Sequence, residues 1–287
     1  VISNSMQVIA KLVPNHATKS FEIKITTAND ESELRDAESG TIQGSDLVYT
    51  LEGETYRTPI KTIRDDYKSQ TGETRNALRR WKKSEFKPRA DDIFQERLYC
   101  IQWMNGDDLK SGKARPGIWF AAPTAEDMQL EERFEAFVNR NLGYWQAHGI
   151  VEDLAIDSGL KTDELIRTRG WSYWHHLFNA RHLLIQATIK KKAMEHDRSP
   201  EMLLFFNNAL DNNSRLCQWL PSQGVGGPKH VFMNQAFNTF WNYPVRCASN
   251  FYTLVFRARP DRETQINGGY VLEPMDASEI VEERDLY

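Results

Sequence analysis

The stretch RTRGWSYWHHLFNARHLLIQATIKKKAMEHDRSPEMLLFFNNALDNNSRLCQWL, residues 167–220, decides the fold, because it holds the two clearest helix signals in the chain. Ser199-Pro200-Glu201 is a start signal. It offers a capping hydroxyl, a proline where a missing N–H costs nothing, and an acid at the positive end of the dipole. Apolar residues follow at Met202, Phe205, Phe206, Ala209, Leu210, Leu216, Cys217 and Leu220, the three-and-four spacing of one buried helix face. Asn213 falls on the same stripe, surrounded by Asn207, Asn208, Asp211, Asn212 and Ser214. Short polar side chains compete for a helix's own backbone. The run is therefore either a solvated face with one satisfied asparagine, or a place where Asn212 or Asn213 reaches a neighbouring element or a ligand.

The helix before it begins at Asn179, whose side chain can cap it, and passes through Leu183, Leu184, Ala187 and Met194. Its end is basic, Lys190-Lys191-Lys192, as the dipole favours. Ahead of it, Gly170-Trp171-Ser172-Tyr173-Trp174 reads as a turn packed with aromatics. His175, His176 and His182 have no cysteine or carboxylate at ligand spacing to complete a site, so no metal is expected.

Taken together, the glycine–aromatic turn, W-x-x-L-F, the capped ARHLLIQAT helix and ALDNNSRLCQW resemble the middle of one methylase family. These are the large adenine-specific DNA methylases, often described as zinc-ribbon proteins and in part encoded in phage-defence clusters. Their order is a glycine-rich cofactor motif, a long insertion holding these words, then a D-P-P-Y catalytic motif. This chain resembles that insertion, well over residues 170–219, less before them, and poorly over residues 224–250. Neither F-x-G-x-G nor D-P-P-Y occurs in it, so no catalytic residue is assigned.

The resemblance implies the DNA-binding, target-recognition portion of an S-adenosylmethionine-dependent enzyme of phage defence or restriction–modification. Its partners would be double-stranded DNA and other defence-system proteins. The competing class is a non-enzymatic nucleic-acid-binding or assembly module of a defence complex. At the C-terminal end, 251–256 and 269–273 read as strands. By the same resemblance they belong to an α/β methyltransferase sheet, Asp276 approaches the adenine of S-adenosylmethionine, and 283–287 lead towards D-P-P-Y just as the chain stops.

Before the helices the chain turns basic. Arg75, Arg79, Arg80, Lys82, Lys83, Lys87 and Arg89 stand against one acid, Glu85, a local charge of +6, interleaved with Trp81 and Phe86. Cations neutralise phosphates and aromatic faces can stack on exposed bases, so Arg75, Arg79, Arg80, Trp81, Lys82, Lys83, Lys87 and Arg89 are the candidate DNA contacts. A solvated basic loop has the same composition. Residues 126–164 carry ten acids against three bases, so the molecule is expected to have a basic and an acidic side.

Residues 1–62 read as β structure: partial alternation over 7–13 and 21–25, strands over 41–50 and 54–63, and a hairpin over 47–56. Residues 96–104 and 117–121 look like paired strands. Thr124 caps a long helix running to Trp145, with Met128, Phe134, Phe137, Val138 and Leu142 inward and Gly149 ending it. The loop 224–229 lacks Walker spacing and is expected to be mobile rather than nucleotide-binding. Residues 232–241 are expected to form another helix.

The expected fold class is thus α+β, with a β-rich recognition region over 1–123, a helical region over 124–245 and returning strands over 246–287. Net charge is −4, which argues against indiscriminate nucleic-acid binding. The three cysteines are widely spaced, and no apolar run approaches membrane-spanning length, which fits a cytoplasmic protein without a membrane partner.

Overall fold

Two antiparallel ribbons open the chain in the computed structural model, which describes residues 1–113, 116–196, 200–231 and 237–246. β1 (Val8–Asn15) pairs with β2 (Ser20–Thr27), and the Asn15 carboxamide accepts the N–H groups of Ala17 and Thr18 to shape the turn. α1 (Glu31–Ser39) has no counterpart in the sequence reading. It buries no residue, so no apolar stripe announced it; an Asp30 cap on the Glu33 N–H starts it. β3 (Ile42–Gln43), β4 (Asp46–Leu51) and β5 (Glu54–Pro59) form a three-stranded sheet. The expected hairpin is there: Glu52 and Gly53 both have positive φ, 52° and 89°, as a two-residue turn matched to strand twist requires. β5 stops at Pro59 rather than 63, and α2 (Ile60–Ile63) follows.

β6 (Tyr67–Lys68) and β7 (Thr74–Arg75) make a minimal hairpin, after which residues 76–100 have no regular structure. β8 (Ile101–Met104) pairs with β9 (Ile118–Ala121) as expected, with α3 (Gly106–Lys110) in the connection. Thr124 and Asp127 form a reciprocal capping box at the start of α4 (Ala125–Ala147), and Gly149 at φ +64° follows its end. Its inner face is the expected one in part, with Phe134 half-buried against the core. Val138, Leu142 and Trp145 are buried, whereas Met128 and Phe137 are exposed.

α5 (Asp163–Arg169) ends on Gly170, a 3₁₀ turn spans Trp174–Leu177, and α6 (Ala180–His196) and α7 (Pro200–Asp211) follow. α6 is capped by the Asn179 side chain on the His182 N–H. The apolar stripe carried past Asp211 is not one helix. Asn212, Asn213 and Ser214 withdraw the backbone from it, and the chain continues as β10 (Gln218–Leu220), paired with β11 (Gly227–Lys229). The glycine loop is therefore a hairpin turn. A Cβ on Gly226 would lie 2.6 Å from the Trp219 ring and 2.8 Å from the Ile2 carbonyl.

The described residues are thus mixed α and β, and every sheet among them is small and antiparallel. The strands expected over 251–256 and 269–273, and Asp276, lie outside the described residues. So does 232–236 of the expected last helix; 237–240 are irregular. Two apolar clusters form the core. One joins α4 and α6 around Val138, Leu142, Trp145, Leu183 and Phe86. The other gathers Leu165, Trp171, Leu177, Leu216 and Trp81.

Candidate nucleic-acid interface

Residues 79–92 have no helix or strand to hold them, yet they are fixed at both ends and in the middle. Trp81 enters one core cluster and Phe86, five residues on, enters the other. At 6% and 3% exposure, neither ring offers a face to a base, which corrects the stacking role expected of them. The segment is a strap whose two aromatic anchors face inward.

Four of the strap's carbonyls are met by side chains of the central stretch, buried ones from His175, His176 and Arg215 and a half-buried one from Ser172. The Ser172 hydroxyl donates to Trp81 O at 2.5 Å, His176 Nε2 to Lys82 O at 3.0 Å, His175 Nε2 to Glu85 O at 3.1 Å and Arg215 Nη2 to Phe86 O at 2.8 Å. Gly170 lets the strap approach. Trp81 N–H donates to Gly170 O at 2.9 Å, and a Cβ on Gly170 would stand 2.1 Å from Arg79 O. With φ at +74°, that position suits glycine on both counts.

The same bonds explain the histidines. His176 Nδ1 accepts the N–H groups of Ser172 and Tyr173, and His182 Nδ1 accepts that of Asn179, so each ring carries its proton on Nε2 and donates it to a carbonyl, Lys82 O and Pro244 O. Burial pulls His175 down to about 4, and burial with His175 beside it pulls His176 down to about 3. Burial and the nearby Arg215 pull His182 to about 3. All three are neutral structural clamps with both nitrogens committed. No cluster of potential metal ligands occurs among the described residues.

The basic side chains divide sharply. Arg79 is structural: its guanidinium bonds both oxygens of Asp92, at 2.8 and 2.7 Å, and Glu85 at 2.6 Å, which raises its pKa further. Burial pushes Asp92 and Glu85 up, but bonds from Arg79 and neighbouring N–H groups more than reverse this and hold both below their ordinary values. Arg89 also pairs with Glu85, Lys83 with Asp153, Lys87 with Glu135 and Arg75 with Glu73, in each case with the cation well exposed. Arg80 and Lys82 are exposed and have no carboxylate within 4 Å among the described residues.

Sequence reasoning missed the residue at the centre. Arg215 has no exposed side-chain surface and bonds Glu96 through two oxygens at 2.6 Å, together with the carbonyls of Phe86, His176 and Phe178. Trp81, Trp171 and Tyr243 surround it. Its only signal was a lone arginine inside an apolar run, Ser214-Arg215-Leu216-Cys217. Asn213 does reach its neighbours: its Oδ1 accepts the Arg246 N–H at 2.8 Å and its carbonyl accepts from Gln186.

The arrangement can present cations on a backbone that is already ordered; it holds no nucleophile–base pair in the strap. No family model, curated protein or solved structure matches the chain.

Proposed function

We propose that this chain is the DNA-binding, target-recognition portion of an S-adenosylmethionine-dependent adenine-specific DNA methyltransferase, in phage defence or restriction–modification, and that the strap is its duplex-facing surface. The sequence resemblance over residues 170–219 supports the enzyme class. The observation that carries the surface is Arg80 and Lys82, exposed, unpaired among the described residues and held on a backbone clamped by Ser172, His175, His176 and Arg215. A preordered strap loses little conformational freedom when it meets phosphates. Lys83, Lys87 and Arg89 flank it in surface pairs, which water weakens and which are open to exchange with a phosphate. The chain lacks F-x-G-x-G and D-P-P-Y. Methyl transfer is accordingly assigned to a longer protein, whose S-adenosylmethionine would meet this chain at Asp276.

The test is duplex binding against salt for wild type and the Arg80→Ala/Lys82→Ala double variant. The variant is expected to bind more weakly and to lose about 1.8 units of slope in log affinity against log salt. Equal affinity and slope would remove the strap from the interface.

A second reading, a non-enzymatic assembly module, is favoured by an exposed aromatic surface away from the strap. Trp103 and Trp119 face each other across β8 and β9, stacked at 6.4 Å and 18°, 39% and 47% exposed. Sequence beyond Tyr287 separates the two: an Asp-Pro-Pro-Tyr there supports the methyltransferase.

A further inference from the structure

The end of the strap with residues 93–96, the end of α5 and residues 240–243 border a partly open cavity of about 100 Å³, walled in part by Arg79, Phe94, Glu96, Arg169, Trp171 and Trp241. Most of its charge is matched internally. Arg79 faces Asp92 and Glu85, and Glu96 is taken by Arg215. Arg64, the nearest other cation acting on Arg169, is paired with Asp66. Arg169 has no carboxylate within 4 Å among the described residues.

Hydrogen-bond accounting sets Arg169 further apart. A guanidinium has five N–H donors. Arg215 directs bonds from all three of its nitrogens to Glu96 and three carbonyls, and uses all five. Arg169 makes two, to Thr168 O at 3.2 Å and Phe240 O at 3.1 Å, which leaves three N–H groups without a protein acceptor among the described residues. The group is held in place by ring faces instead, 4.2 Å from the centroid of Trp241 and 5.3 Å from that of Phe94. Burial lowers its pKa to about 10, so it stays cationic at neutral pH.

Glu96 and Glu164 act on Arg169 only from beyond 4 Å, so a buried cation in an aromatic-lined cavity keeps donors open, among the described residues, to an anion that can accept two or three parallel bonds. The size narrows the choice. A dry cavity of about 150 Å³ holds a benzene ring, and one of about 100 Å³ that opens to solvent suits a tetrahedral oxyanion with the rest of its ligand outside. We propose that this cavity is a phosphate-binding site in which Arg169 is the recognition residue and the remainder of the ligand stays outside, past Trp241. The proposal is independent of the duplex surface, because Arg80 and Lys82 are not among the residues lining the cavity.

Calorimetric titration of the whole chain with inorganic phosphate at constant ionic strength tests it. The expected result is one saturable site per chain, weakened at least tenfold in Arg169→Gln, weakened less in Arg169→Lys, and unchanged in Arg80→Ala/Lys82→Ala. Comparing single strands with a 5′-phosphate and a 5′-hydroxyl identifies the source. Preference for the phosphorylated strand assigns the group to a nucleic-acid end; equal binding, with inorganic phosphate still bound, assigns it to a small phosphate ester. Absence of saturable binding by wild type overturns the proposal, as does wild-type affinity in Arg169→Gln. If circular dichroism shows that Arg169→Gln does not fold, Trp241→Ala at the exposed rim replaces it, and unchanged affinity there is the overturning result.

Discussion

Acid should unfold this protein in a window set by His175, His176 and His182, before its carboxylates matter. In the unfolded chain these imidazoles titrate near 6.5. Folded, they stay neutral down to about 4, 3 and 3, because burial excludes the charged form and Arg215 and Lys83 repel a further cation. Between those limits the unfolded state binds more protons than the folded one, so stability falls as pH falls. Each histidine contributes about 2 kcal/mol of loss from about pH 7 to about pH 5, and the three together about 6 kcal/mol. That is comparable to the roughly 5–15 kcal/mol total stability of a typical domain. Near pH 5.5 the slope should approach about 3 protons, or about 4 kcal/mol per pH unit. Asp66, Glu85, Asp92, Asp127 and Asp153 are all held below their ordinary values, so their contribution is lost only at lower pH. Urea unfolding followed by tryptophan fluorescence at several pH values measures the slope directly. Replacing His176 with Gln should remove about one proton from it. A stability that changes by less than about 1 kcal/mol between pH 7 and 5 would refute the assignment of these rings as buried neutral clamps.

Two further expectations concern the strap. Trp81→Ala and Phe86→Ala should each cost about 3–5 kcal/mol in chemical unfolding, since each removes a buried ring from a different core cluster; a loss below about 1 kcal/mol for either would show that the ring is not an anchor. Arg79→Ala should cost about 1–3 kcal/mol, by leaving Asp92 without its cation and Glu85 with Arg89 alone, while leaving the salt slope of duplex binding unchanged; a flattened slope would place Arg79 on the duplex instead.

What the sequence made legible was local. The caps at Thr124 and Asn179, the Glu52-Gly53 turn and the β8–β9 pairing each depend on residues a few places apart, and each was read from spacing. The strap was read correctly as irregular and basic but wrongly as free, because its anchors come from far along the chain. His175 lies 90 residues from Glu85 and Arg215 lies 129 from Phe86. Period also misled where two kinds of element share a spacing. Leu216, Cys217 and Leu220 continue the helical stripe of α7 on paper, while Asn212-Asn213-Ser214 had already ended it. The counts of charge were right, but two of the acids do not stand apart from the bases. The acids of 126–164 were expected on an opposite face, yet Glu135 and Asp153 reach back to Lys87 and Lys83.

That compensation bounds how the strap could hold a duplex. Seven free cations would give a salt slope of about −6 on B-form DNA. Five of the seven already have carboxylate partners, and Arg79 shares two of them in a half-buried setting. Breaking the exposed pairs of Lys83 and Lys87 costs little but leaves Asp153 and Glu135 facing the incoming phosphates. Repulsion from those two carboxylates offsets much of what the released lysines contribute. Arg80 and Lys82 carry no such penalty, so a slope near −2 is the expected value for the strap alone. A contact that weak would position a duplex and would not hold every one it meets. A net charge of −4 points the same way, since it disfavours indiscriminate nucleic-acid binding.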